Sequence, residues 1–212
     1  MWTLLAAGLG FLSSFVLSTL LHLPRGPFVA AWVVLAGAFL AWYRASHRLD
    51  FSAQLQRRWI GGLVVGVVVG ALLVRQVLSQ PPSPRTEGLA LVGDLAAYGV
   101  VYGIIDALML SVVPVMSLYG MRPASELRDS VARYRWSFIA LLGSALVTAA
   151  YHLGFAEFRG ARIMQPLIGN VVITLTYLLT GSPVAPIVSH VMMHAAAVMH
   201  GMATTMQLPP HD

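Results

Sequence analysis

The chain has 212 residues, 58% of them hydrophobic and 10% charged, with a net charge of +5. That is about half the charged fraction of a soluble domain, and so much apolar surface cannot be hidden from water at this size, so the solvent is lipid. The absence of cysteine excludes disulfide scaffolds, Cys-based zinc sites and thiol nucleophiles. The positive charge is all arginine and comes with no nucleic-acid-binding module, so it reads as membrane anchoring and topology.

A spanning helix needs about 20 apolar residues. Seven segments meet that length: 2–22, 27–43, 59–79, 89–118, 136–156, 164–180 and 183–203. The expected fold is an all-α, polytopic membrane bundle. The first segment lacks a basic leader and its apolar run is too long for a signal peptide, so it reads as a membrane helix. The connection 44–59 is polar and Arg-rich, and its Leu49, Leu55 and Trp59 are expected at the membrane surface. The third segment carries Gly62, Gly66 and Gly70, two overlapping GxxxG steps that let another helix approach closely. Internal packing and homodimerisation are both open uses of that stripe. Residues 80–88 form a Pro-rich linker. The fourth segment is longer than the bilayer needs and holds Gly99, Gly103 and Pro114, so a kink, tilt or break is expected near its end. In the connection 121–136, Ser125 is the expected cap of a short helix, with Arg128 one turn beyond.

With seven spans, the side of the N-terminus carries Arg44, Arg48, Arg57, Arg58, Arg122, Arg128, Arg133 and Arg135. The other side carries Arg25, Arg75, Arg85, Arg159 and Arg162. The excess places the N-terminus in the cytoplasm. The organisation read from the sequence is 1–79, three helices; 80–88, linker; 89–203, a four-helix core; and 204–212, a tail.

Unpaired polar groups in hydrocarbon cost several kcal/mol, so each is a clue. Asp94 is expected near the membrane surface, whereas Asp106 falls mid-helix. His152 lies in the fifth segment, and Asn170, Thr174 and Tyr177 are spaced to share one face of the sixth. His190 and His194 are one turn apart and point the same way. His200 faces roughly the opposite side, and Met192 and Met193 read as apolar filling. One candidate site follows: Asp106, His152, His190 and His194. Those donors also suit a divalent metal such as zinc, and paired histidines on neighbouring helices can hold haem.

The same residues carry a resemblance. "SALVTAAYHLGF" and "TGSPVAPIVSHVMMH" resemble the second and third motifs of the CPBP family, the CAAX-protease, bacteriocin-processing and abortive-infection membrane proteins, with His152 and His190 as the motif histidines. "YGIIDALMLSVVPV" falls where the first motif belongs. The likeness spans roughly residues 89 to 203. Three positions depart from the pattern. The Glu-Glu pair reads Ile105-Asp106 with Leu110 where an arginine follows, the phenylalanine of the second motif is Thr148, and the asparagine of the third is His194.

The resemblance implies an intramembrane endopeptidase acting on a peptide or lipidated peptide. A carboxylate activates water, histidines assist, and the residue at 194 stabilises the oxyanion. On that pattern Asp106 would be the base, His152 and His190 would assist, and His194 would take the oxyanion role. The degenerate first motif equally suits a non-proteolytic relative, a scaffold or accessory subunit of a larger membrane complex. A membrane metal or haem protein using the same four residues is a third reading. The bacterial inner membrane is the expected location.

Overall fold

The computed structural model describes residues 1–47, 51–56, 58–126 and 129–208. The helices are α1 (Trp2–Leu20), α2 (Arg25–His47), a short α3 (Phe51–Gln56), α4 (Trp59–Leu78), α5 (Gly88–Tyr119), α6 (Ser130–Leu153), α7 (Met164–Thr180) and α8 (Val184–His200). Two 3₁₀ turns, Ala156–Phe158 and Gly160–Ile163, lead from α6 into α7. Among the described residues, six helices, with α7 counted from Gly160, are long and apolar enough to cross a membrane, and α8 is a shorter apolar one. The protein is a polytopic helical bundle. Its outward faces are apolar, with Leu4, Val34, Val68, Leu72, Phe138 and Leu179 exposed, as lipid contact requires.

Polar side chains tie the early helices to the late ones. The Ser14 hydroxyl donates to the Tyr151 carbonyl at 2.6 Å and that of Thr19 to the Gly154 carbonyl at 2.7 Å. These bonds fasten the end of α1 to the end of α6. The glycine stripe of α4 is buried against α8. A Cβ at Gly66 would stand 2.8 Å from the Ala185 carbonyl oxygen, and the Ser189 hydroxyl donates to the Gly66 carbonyl at 3.1 Å. The stripe is thus used inside the chain, where close backbone approach replaces side-chain packing.

The long α5 does not break. It widens to π-helical turns over Leu95–Val101 and Ala107–Val112, either side of the α-helical turn Tyr102–Asp106. Pro114 has no N–H to give the carbonyl four residues back. That carbonyl, of Leu110, is instead met by the Ser144 hydroxyl at 2.6 Å. A neighbouring helix thereby supplies the bond that the proline withholds.

α6 starts earlier than the apolar run suggests, at Ser130. Its cap is Asp129, whose carboxylate accepts from the Val131 N–H at 2.9 Å; Ser125, expected to cap a short helix, lies inside the 3₁₀ turn Ala124–Glu126. Leu55 and Trp59 are exposed, as expected at an interface, while Arg48, Leu49, Arg57 and Arg128 lie outside the described residues.

The linker and the segment after α8 form a strap. Ser83 N–H donates to the His200 carbonyl at 3.2 Å, Ala203 N–H to Ser83 Oγ at 3.2 Å, and Met206 N–H to Gln80 Oε1 at 3.0 Å. Arg25 of α2 reaches the same segment through the Met202 and Leu208 carbonyls.

Candidate active site

Asp106, His152, His190 and His194 line one cavity of about 540 Å³. Its walls come from α4, α5, α6, α7, α8 and the strap. The α5 helix brings in Asp106 between its two widened stretches, the kind of helix irregularity that recurs at functional sites. Gly103 lets α8 approach: a Cβ there would lie 3.0 Å from the Val191 Cα and 3.3 Å from the His194 ring.

Asp106 is 4% exposed. Its Oδ1 accepts from the Trp32 indole N–H at 3.3 Å, and its Oδ2 stands 3.5 Å from His194 Nε2. Neither ring nitrogen of His194 has a hydrogen-bond partner among the described residues, so the approach to Asp106 is electrostatic. The His190 and His194 rings lie nearly parallel with centroids 6.0 Å apart. Tyr102 sits edge-on to His194 at 5.0 Å, and its hydroxyl bonds that of Tyr151 at 2.7 Å.

His152 shares the cavity and lies within Coulombic reach of Asp106 and His194. Its Nδ1 bonds the Thr148 carbonyl at 2.9 Å, and His190 Nδ1 bonds the Pro186 carbonyl at 3.1 Å. A carbonyl can only accept, so in each neutral ring Nδ1 carries the proton and Nε2 keeps the lone pair. Both histidines therefore present an acceptor.

Deeper in the wall is a polar network. The Ser111 hydroxyl donates to Asn170 Oδ1 at 3.0 Å, Asn170 Nδ2 donates to Ser144 Oγ at 2.7 Å, and Thr174 Oγ1 bonds both hydroxyls. The expected common face of Asn170, Thr174 and Tyr177 is buried. Asp94, by contrast, accepts from the Thr86 hydroxyl at an exposed position.

Sequence reasoning missed Trp32 and Tyr151. The spacing of Ser144, Thr148 and His152, one turn apart on α6, was the signal for the rest of that wall. His200 lies apart from the cavity and bonds the Gln80 carbonyl at 2.7 Å. Met193, read as filling, is part of the cavity wall, because α8 turns that side chain inward.

Donor geometry does not make a metal cage. Among the described residues, no group of three or more His, Asp or Glu side chains is placed to hold an ion, and structural or catalytic zinc takes at least three protein ligands.

A family model described as type II CAAX prenyl endopeptidase Rce1-like matches residues 126–196. Over those residues this helical membrane protein is similar to the CAAX-protease family. The match contains His152, His190 and His194 and begins after Asp106. No curated protein and no solved structure matches it.

Proposed function

We propose that the chain is an intramembrane endopeptidase in which the Asp106–His194 pair activates water against a peptide bond. The observation that carries this reading is the 3.5 Å approach of His194 Nε2 to Asp106 Oδ2 on the cavity wall. The carboxylate favours the tautomer with the proton on Nε2, which leaves the lone pair on Nδ1. His194 takes a proton from water through Nδ1, and Asp106 balances the imidazolium that forms. The water oxygen bonds to the carbonyl carbon, and the carbonyl electrons move to oxygen. Collapse breaks the C–N bond, and His194 returns its proton to the leaving amine.

The roles differ from those the family pattern implies. Asp106 spends one oxygen on Trp32 and turns the other to His194, so it is better placed to orient an imidazole than to hold water. The Nε2 lone pairs of His152 and His190 can accept from water or from substrate N–H groups. Apolar wall residues such as Leu73 and Ile173 suit a peptide or lipidated peptide drawn from the bilayer.

The test is cleavage of membrane-embedded peptides by purified protein in liposomes, with products read by mass spectrometry. Wild type is expected to cleave. Asp106→Asn and His194→Asn are each expected to lower kcat by roughly 100-fold to 10,000-fold, the range of general-base catalysis. His194→Asn restores the residue of the family motif, so activity retained in that variant overturns the base assignment. A wild type that cleaves no peptide overturns the function.

The family match, which begins only after Asp106, favours a second reading as a non-proteolytic scaffold or accessory subunit. It predicts a partner retained through gentle detergent extraction and no cleavage.

A further inference from the structure

We infer that the Thr148 hydroxyl is the donor that receives the developing oxyanion, an inference that rests on the endopeptidase reading. A tetrahedral oxyanion needs hydrogen-bond donors aimed at it. Most polar groups of this cavity either only accept or are already engaged with a neighbour. Asp106 only accepts, and neutral His152 and His190 offer lone pairs at Nε2. The Nε2 of His194 faces Asp106. The hydroxyls of Tyr102 and Tyr151 are engaged with each other, and the Asn170 amide is held in the wall network by Ser111 and Ser144. Gln80 Nε2 donates to Gln207 Oε1 at the strap, and Gln76 and Gln165 are exposed.

Thr148 is different. It is 0% exposed, it lines the cavity, and its Oγ1 has no hydrogen-bond partner among the described residues. Buried hydroxyls in helices ordinarily donate to the carbonyl one turn back. Ser14, Thr180 and Ser189 of this protein do so, to Gly10, Thr176 and Ala185. Thr148 leaves that bond unmade. It precedes His152 by one turn, and its own carbonyl holds the His152 ring at 2.9 Å. Donor and acceptor are therefore set side by side on one face of α6. The substrate group it fits is the carbonyl oxygen of a peptide bond, which accepts from the hydroxyl as an amide oxygen and more strongly as an alkoxide.

The experiment compares Thr148→Val, which keeps the shape and removes the hydroxyl, with Thr148→Ser, which keeps a hydroxyl. Against a peptide that wild type cleaves, Thr148→Val is expected to lower kcat by about 100-fold to 1,000-fold with KM little changed, as loss of one oxyanion donor does. Thr148→Ser is expected to recover most of that loss. An undiminished kcat in Thr148→Val overturns the inference while leaving the endopeptidase reading intact. If wild type cleaves nothing, that reading fails, and binding of a peptide aldehyde decides the role of Thr148. A rise in unfolding temperature with wild type and Thr148→Ser but not with Thr148→Val upholds the hydroxyl as a binding donor. An equal rise in all three, or none, overturns it.

Discussion

At the scale of single residues, the site is governed by which atoms are already spoken for. Trp32 is fully buried and gives its indole N–H to Asp106. Trp32→Phe keeps most of the ring and removes that donor, leaving a buried carboxylate oxygen unsatisfied. The expected loss is about 1–3 kcal/mol, read as a fall in thermal unfolding midpoint in detergent. The i, i+4 spacing of His190 and His194 was legible because it is a local property of a helix. The indole was not, because it comes from a position 74 residues away and nothing local ties it to Asp106. Outside the membrane, Glu126 accepts from the Trp136 indole at 2.8 Å and from Arg135 at 2.6 Å. The indole N–H first, and then Arg135, hold its pKa below the ordinary value of 4.5. A carboxylate lowered on folding contributes its full stability above the unfolded value and loses it as pH falls through the folded one. Wild type should therefore show a small decline in unfolding midpoint below about pH 4.5 that Glu126→Gln lacks. Salt should weaken the difference, since the pair is solvent-exposed.

At the scale of elements, the sequence showed faces more readily than partners. Gly62, Gly66 and Gly70 announced a close helix contact, but periodicity alone left both a second copy and a neighbouring helix open. The structure spends the stripe on α8. Gly66→Ala would press a methyl group 2.8 Å from a carbonyl oxygen and 3.2 Å from the Ala185 Cα, atoms that cannot swing aside. The expected cost is about 1–3 kcal/mol by thermal unfolding, and Gly61→Ala, with nothing within 4 Å of its new methyl group, is the control without that penalty. The length of α5 was legible, and so was the trouble at Pro114. The remedy was not, since it depends on Ser144 arriving from α6. The start of α6 was missed because arginines at 133 and 135 interrupt the apolar pattern, although long side chains can reach the interface from inside a helix.

At the scale of the whole molecule, composition alone identified lipid as the solvent, because no other medium tolerates so much exposed leucine, valine and phenylalanine. The convergence of Asp106, His152, His190 and His194 on one cavity followed from the motif order, but the cavity wall is wider than the motifs. The helix α4 and the strap complete it, and α1 and α2 brace it through Ser14, Thr19 and Trp32. The strap has a further consequence for how the bundle comes apart. Helices usually begin to unravel at their last turn, where carbonyls lack partners. The last residue of α8 has its carbonyl taken by Ser83 and its ring held at Gln80. The helix that bears His190 and His194 is thus tied down at its C-terminal end, and fraying from that end requires the linker to let go first.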